Sequence, residues 1–361
     1  MIKIIKFAPI QKKYQMLEFI IERSALVIAI FVLSLVIAMY STYLERKVAA
    51  FLQDRIGPNR AGIFGLLQPL ADGGKMFFKE EIIPSSASKW LFIAGPGIAM
   101  MTALMSSAVI PWGPDLVLST KVISMQVSDI NIGILYVLGI LSIGIYGIMI
   151  GGWASNNKYS LFSAIRASSQ MISYELAMGI IIITIVMMTG SVGLKEIVGK
   201  QSTSLFGISG LNWNVFYQPL GFILFLTCAL AECNRAPFDM AECESELIGG
   251  YHTEYSSMKL GFYLFAEYIN MFVSSAIISV LFFGGYSFPG MANFSGITLT
   301  VLGFASMMLK TGFFIFVFMW IRWTLPRFRY DQLMELGWKK LIPIALINML
   351  ITGAVILFFN R

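Results

Sequence analysis

The chain has 361 residues, of which 57% are hydrophobic and 13% are charged, and its formal net charge is +6. About a quarter of the residues of a soluble globular domain are charged. The composition and a mean hydropathy of +0.76 therefore exclude that class. They predict an all-α polytopic membrane protein in which residues 1–361 form a single transmembrane domain.

Apolar stretches long enough to cross about 30 Å of hydrocarbon predict about eight transmembrane helices. They lie at 24–44, 90–112, 132–153, 167–189, 215–231, 260–286, 297–321 and 341–359. None of them alternates polar and apolar residues as the strands of a membrane barrel do. Residues 1–23 form an N-terminal tail without a cleavage signal, which we interpret as mature sequence. Pro96 and Pro219 fall within two spans and predict kinks there.

The loop between the first two spans, residues 45–89, contains an amphipathic segment. On a helix, Leu66, Leu67, Leu70, Phe77 and Phe78 share one side, and Asp72, Lys75, Lys79 and Glu80 share the other. This pattern predicts a helix that lies in the plane of the membrane interface. Two roles stay open for it: an anchor that orients the bundle, or a wall for an amphipathic ligand that enters from the lipid.

The distribution of basic residues predicts the orientation of the chain. The loops after the first, third, fifth and seventh spans are richer in Lys and Arg than the opposite loops, so we expect them to face the cytoplasm. The basic tail, with Lys3, Lys6, Lys12, Lys13 and Arg23, conflicts with this orientation. Residues 322–340 mix basic and aromatic side chains, which is typical of an interfacial anchor or of a docking loop for a soluble partner.

Charged residues inside apolar spans are costly and mark functional sites. Glu175, Glu232, Glu267 and Lys310 are placed in this way. Glu232 also begins an acidic cytoplasmic loop, residues 232–259, whose carboxylates are Glu232, Asp239, Glu242, Glu244, Glu246 and Glu254. A single buried carboxylate fits a structural ion pair as well as a proton site. Several of them joined to an acidic loop favour a proton relay, because neighbouring carboxylates hinder one another's ionisation.

The sequence lacks the usual signatures of a bound cofactor. Cys228, Cys233 and Cys243 have no zinc or iron–sulfur spacing, and His252 is the only histidine. No Walker A sequence or Gly-x-Gly-x-x-Gly turn is present. We therefore expect no metal site, no redox cofactor and no catalytic residue in this chain.

Several separate motifs resemble one family over nearly the whole chain. They are Glu45-Arg-Lys, Arg55-Ile-Gly-Pro-Asn, Leu67-Gln-Pro-Leu-Ala-Asp-Gly-Gly-Lys75, Ile172-Ser-Tyr-Glu175, Glu232-Cys-Asn-Arg-Ala-Pro-Phe-Asp239, Phe265-Ala-Glu-Tyr268 and Pro326-Arg-Phe-Arg-Tyr-Asp-Gln-Leu333. This pattern is similar to that of a membrane subunit of respiratory complex I, the family known as NADH dehydrogenase subunit 1 or as the H subunit. The resemblance implies a quinone access tunnel at the junction with the peripheral arm and a charged path that couples quinone reduction to proton translocation.

The resemblance also implies roles for individual residues. It assigns the proton path to Asp72, Glu175, Glu232, Glu242, Glu244, Glu246 and Glu267, quinone binding to Arg46, Arg55, Lys75, Arg235 and Phe238, and contact with the peripheral arm to Arg327, Arg329 and Asp331. Quinone is then the substrate, while FMN and iron–sulfur clusters belong to partner subunits. The partners are the peripheral quinone-site subunits, neighbouring membrane-arm subunits and lipid, without nucleic acid.

Three rival interpretations remain open. The equivalent subunit of a membrane-bound hydrogenase or of a ferredoxin-dependent relative shares the acidic loop. A free-standing proton channel would also need acids inside the membrane, and a purely structural anchor would explain the loops alone. For location, we expect the cytoplasmic (inner) membrane of a bacterium, with the mitochondrial inner membrane as the alternative.

Overall fold

The computed structural model describes residues 7–118, 121–205, 207–239 and 248–359. Within these ranges, seven helices are long and apolar enough to cross a membrane, and an eighth apolar helix is shorter. The only strands there form two short antiparallel hairpins, β1 (Leu116–Leu118) with β2 (Lys121–Ile123), and β3 (Ser204–Leu205) with β4 (Ile208–Ser209). The prediction of an all-α polytopic membrane protein is therefore confirmed.

The α-helices of the described ranges are numbered here in chain order. They are α1 (Phe7–Leu52), α2 (Gln68–Phe78), α3 (Lys89–Ser106), α4 (Gly133–Ala154), α5 (Lys158–Thr189), α6 (Leu194–Gln201), α7 (Pro219–Glu232), α8 (Ser257–Phe282), α9 (Gly296–Thr324), α10 (Tyr330–Glu335) and α11 (Ile342–Phe359). A π-helical segment, Leu336–Leu341, joins α10 to α11. The predicted docking loop is thus partly helical and runs directly into the last span.

Two predicted spans differ from the helices that form. The first helix reaches back to Phe7, so much of the predicted N-terminal tail continues α1. The fifth, α7, has 14 residues, which at 1.5 Å per residue span about 21 Å and fall short of the hydrocarbon thickness. The predicted kink at Pro219 is wrong, because this residue occupies the first turn of α7, where a missing N–H costs nothing. Pro96 does lie inside α3.

Helix α8 lies at the centre of the bundle. It contacts α1, α3, α7 and α9, and it is the most buried of the long helices. Glycines let α3 and α4 approach each other beside it: a Cβ on Gly95 would lie 2.9 Å from the Cα of Gly151. The Tyr263 hydroxyl of α8 enters this contact and donates to the Gly147 carbonyl at 3.0 Å. Close glycine packing thus brings three helices around one buried tyrosine.

The predicted interfacial helix is α2. Pro69 lies in its first turn, and the helix packs against α1 and α8. Ser257, at the start of α8, donates from its hydroxyl to the Met76 carbonyl at 3.1 Å. The apolar face points away from the protein, with Phe77 and Phe78 exposed by 68% and 93%. Helix α2 therefore presents apolar rings outward while its other face closes a cavity against α1 and α8.

Candidate functional site

A cavity of about 260 Å³, here called the outer cavity, lies between α1, α2, α8 and α9. Its walls are mainly apolar and include Met39, Phe265 and Trp323, together with the backbone of Gly73. Charged side chains line the same space: Glu45, Arg46, Asp72 and Arg322. The cavity therefore combines an apolar surface with a cluster of ionic groups, as an amphipathic ligand requires.

The charged groups of the outer cavity form two ion pairs. Arg46 Nη1 lies 2.6 Å from Asp72 Oδ2, and Gln68 Nε2 donates to the other Asp72 oxygen at 3.0 Å. Glu45 is paired with Arg322 and is almost fully buried. The Tyr268 hydroxyl donates to Glu45 Oε2 at 2.8 Å. The first pair is about half exposed, so solvent screens it, whereas the second is held in place by burial and a charge-assisted hydrogen bond.

Arg235 connects the outer cavity with the interior of the bundle. Its guanidinium carbon lies 4.1 Å from the centre of the Tyr268 ring, which lines the outer cavity. On its other side, Nη2 lies 3.8 Å from Glu267 Oε2. Arg235 and Glu267 are both buried. A cation–π contact and an ion pair therefore join the tyrosine to a buried carboxylate through one arginine.

A second, smaller space, the inner cavity, lies among α3, α4, α5, α7 and α8. Its volume is about 30 Å³, and Glu232, Glu267 and Tyr251 line it. The Tyr251 hydroxyl donates to Glu267 Oε1 at 3.1 Å. Both oxygens of Glu232 are buried and lack a hydrogen-bond partner among the described residues. This volume accommodates a water molecule, and such a water would satisfy the Glu232 carboxylate.

Glu175 continues the set of acids on the far side of Glu232. It lies on α5, accepts a hydrogen bond from the Ser142 hydroxyl of α4, and interacts electrostatically with Glu232. The ionisable side chains from the outer cavity inward are Asp72, Arg46, Arg322, Glu45, Tyr268, Arg235, Glu267, Glu232 and Glu175. We call this set the ionisable series. It runs from α2 to the middle of the bundle.

Tyr255, in the loop before α8, borders the inner cavity through its contact with Tyr263. The two ring centroids are 5.1 Å apart, and Tyr263 lines the cavity. Burial raises the pKa of Tyr255 to about 12. Its hydroxyl donates to the Gly151 carbonyl at 3.3 Å.

Only some of the residues predicted from the resemblance lie together at the two cavities. Arg46, Asp72, Arg235, Glu267, Glu232 and Glu175 belong to the ionisable series. Lys75 and Arg55 are exposed and do not line the outer cavity, and Arg55 donates to Gln53 at 2.8 Å. Glu242, Glu244 and Glu246 lie outside the described residues.

Phe238 and the predicted docking residues lie together at one end of the bundle. The Phe238 ring is buried between Tyr174 and Phe328, with centroids 5.4 and 5.6 Å away, and lines neither cavity. Arg327 Nη2 lies 2.8 Å from Asp239 Oδ2, so the segment before α10 is attached to the start of the acidic loop. Arg329 and Asp331 pair with each other on the surface, where the carboxylate accepts at 2.6 Å.

Sequence reasoning did not assign roles to Glu45, Arg322, Tyr268 and Tyr251. Glu45 and Tyr268 stand inside motifs that carried the family resemblance. An acid at the end of a span looks like a surface residue, because nothing in the sequence shows that Arg322, 277 positions away, closes over it. The described residues contain no group of three or more His, Cys, Asp or Glu side chains that could hold a metal ion.

Comparison with known proteins identifies the family of this chain. A family model described as NADH dehydrogenase matches residues 24–353. The NADH-quinone oxidoreductase H 1 subunit of Cytophaga hutchinsonii is 64% identical over 95% of this chain and 98% of the relative. The H subunit of Flavobacterium johnsoniae is 62% identical over 94% and 96%, and the H 1 subunit of Geobacter sulfurreducens is 47% identical over 93% and 95%. The chain therefore belongs to the NADH dehydrogenase family that includes the H subunits of NADH-quinone oxidoreductase.

Proposed function

We propose that this chain is the membrane subunit of a proton-pumping NADH:quinone oxidoreductase that admits quinone through the outer cavity and couples its reduction to proton translocation. The observation that carries this proposal is the ionisable series, which joins an amphipathic cavity to buried carboxylates. Neither a simple anchor nor a hydrogenase component is favoured, because an anchor needs no such series and the relatives are named as quinone oxidoreductase subunits.

The outer cavity suits a quinone, which has a polar ring and an apolar tail. The tail would lie against Met39 and Phe265, and the ring would pass the charged groups around Asp72. Arg46, which lines the outer cavity, and Arg235, which lies behind the Tyr268 ring, would orient the quinone ring on its way to a reduction site in a peripheral partner. Lys75, on the exposed face of α2, and Arg55, in the loop after α1, would act at the entrance.

The change in charge that accompanies quinone reduction would couple this reaction to proton translocation. Reduction of quinone adds electrons and takes up protons, so it changes the electrostatic potential at the nearest ionisable groups. Arg235 would transmit this change, because it contacts both the Tyr268 ring and Glu267. Glu267 and Glu232 share the inner cavity, where water would carry a proton between them and on towards Glu175. Glu242, Glu244 and Glu246 would respond in the same way on the acidic loop.

The chain would act as one subunit of a larger complex in a membrane. The chain would perform no redox step itself, and FMN and iron–sulfur clusters would be held by partner subunits that deliver electrons to quinone. Contact with the peripheral arm would be made by Arg327, Arg329 and Asp331. The outer surfaces of the membrane-spanning helices would face lipid and neighbouring membrane-arm subunits. We expect the complex in the cytoplasmic membrane of a bacterium, as the names of the relatives suggest.

Two neighbouring glycines of α2 provide the test. Gly73 lines the outer cavity, Gly74 does not, and a Cβ on either would meet nothing within 4 Å. Gly73→Leu should fill the cavity without a backbone clash, whereas Gly74→Leu places the same side chain outside it. We expect Gly73→Leu in the purified complex to lower the rate of NADH:quinone reduction at least tenfold, which corresponds to about 1.4 kcal/mol.

The matched measurements separate access from assembly. NADH oxidation by a hydrophilic artificial acceptor should stay unchanged in both variants, because electrons then leave the complex before the quinone site. The Gly74→Leu complex should keep its quinone activity. Full quinone activity in the Gly73→Leu complex, or an equal loss in both variants, would contradict quinone access through the outer cavity.

A further inference from the structure

An apolar groove runs along the outer surface between α1 and α9. Its two sections, of about 480 and 470 Å³, share Val48 and Phe316 and are therefore continuous. None of the α1 residues that line either section lines the outer cavity. Phe272 of α8, which is fully buried, lies at its floor. The groove thus follows two membrane-spanning helices and lies on a different face of α1 from the outer cavity.

The stem of a lysine borders one end of the groove, and its ammonium group lies over the Tyr43 ring, which lines neither section. Lys47 lines the second section beside Phe51 and Trp320. Its Nζ lies 5.6 Å from the centre of the Tyr43 ring, and it makes no ion pair in the part of the chain that the structure describes. The neighbouring cation Arg46 is already paired with a carboxylate. The groove therefore combines a long apolar surface with a half-buried lysine that has no counter-ion among the described residues.

The loop after α1 brings further positive charge to this end. Gly57 lies against the stem of Lys47, where a Cβ would come within 3.0 Å of the lysine Cδ. The same loop carries Arg55 and Arg60, both exposed. A tryptophan and several basic residues at the end of membrane-spanning helices are typical of the headgroup level of a bilayer.

We propose that the groove binds an anionic phospholipid, with one acyl chain along α1 and α9 and the phosphate at Lys47. The apolar length suits an acyl chain, and a lysine at the headgroup level suits a phosphate. Quinone fits less well, because its ring is neutral and Phe272 closes the floor between this groove and the interior. The site is independent of the function proposed for the outer cavity.

The first experiment fills the groove. Gly312 of α9 lines it, and a Cβ there would meet nothing within 4 Å. Gly139 of α4 is also exposed and equally unobstructed, but it lines none of the cavities described here. The complete complex is reconstituted into phosphatidylcholine nanodiscs with a trace of photoreactive phosphatidylglycerol, and crosslinks are located by mass spectrometry. We expect Gly312→Leu to abolish crosslinking to α1 and α9 residues of the groove, and Gly139→Leu to leave it unchanged.

The second experiment removes the cation. A lysine near an anionic headgroup changes lipid affinity about fivefold. We expect Lys47→Gln to lower crosslinking of photoreactive phosphatidylglycerol in the groove by about that factor and to leave crosslinking of photoreactive phosphatidylcholine unchanged. Lys79→Gln, which alters an exposed lysine at the end of α2 away from the groove, is the control.

Three results would overturn the proposal. Equal labelling of the wild-type groove by both lipids would exclude selection for an anionic headgroup. Unchanged labelling in Gly312→Leu would show that no acyl chain lies there. A helix of a neighbouring subunit or a quinone tail found in the groove of the complete complex would replace the lipid as its occupant.

Discussion

The buried ion pair between Arg235 and Glu267 should contribute more to the free energy of unfolding than the exposed ion pair between Arg329 and Asp331. The Arg235 guanidinium lies 3.8 Å from Glu267 and packs on the Tyr268 ring, and both charged partners are buried. At an effective dielectric constant of about 20, two unit charges at this distance attract each other by about 4 kcal/mol. Removing either partner alone takes the opposite charge away from a buried ionic group, which typically costs about 3 to 5 kcal/mol.

A double-mutant cycle measures this interaction. We expect Arg235→Gln and Glu267→Gln each to destabilise the subunit strongly, and the double variant to lose much less than the sum. The coupling free energy should be about 2 to 3 kcal/mol, because contacting residues rarely exceed that range. The pair Arg329 and Asp331, which is mostly exposed, is the control and should show a coupling below about 1 kcal/mol.

The stability of each variant can be measured by the labelling of two buried thiols. Cys228 and Cys233 are buried, so a thiol reagent reaches them only when the bundle opens. Their labelling in the purified complex, followed against temperature by mass spectrometry of the peptide that carries both, reports unfolding of this subunit. Additive losses in the Arg235 and Glu267 cycle would refute the claim that these two charges stabilise each other.

The remaining predictions concern the two cavities. Tyr268→Phe removes the hydrogen bond to Glu45, so we expect the free energy of unfolding to fall by about 1 to 3 kcal/mol in the thiol-labelling assay; an unchanged unfolding temperature would show that this contact does not stabilise the subunit. Gly151→Ala places a methyl group within 1.9 Å of the Tyr263 hydroxyl and should cost about 1 to 3 kcal/mol in the thiol-labelling assay. The control Gly139→Ala has open space around it and should be neutral or slightly stabilising.

Hydropathy alone predicted the long helices, because the backbone N–H and C=O groups of an apolar segment in a membrane must form hydrogen bonds with each other, as they do in an α-helix. It was less reliable where local chemistry decides the outcome. Pro219 starts α7 instead of bending it, which shortens the fifth span. The first helix continues through a basic segment back to Phe7, since Lys and Arg are good helix formers and do not end a helix.

The sequence indicated some residues of the candidate site but not the contacts among them. The cost of an acid inside the membrane identified Glu175, Glu232 and Glu267 from the sequence. The ion pair between Glu45 and Arg322 depends on how α1 meets α9, and no local pattern specifies that. For the same reason the wall of the outer cavity includes Arg46 and Asp72, whereas Lys75, three residues further along α2, faces outward.

The most direct test of the account is proton pumping by the complex with Glu232→Gln, compared with Glu80→Gln. Glu232 is buried in the inner cavity, and Glu80 is an exposed acid just after α2. The complex is reconstituted into proteoliposomes, and NADH-driven acidification of the lumen is measured with quinone as acceptor. We predict that Glu232→Gln, with assembly intact, lowers both quinone reduction and pumping, while Glu80→Gln retains both. Full coupled activity in the Glu232→Gln complex would contradict a role of the buried carboxylates in coupling.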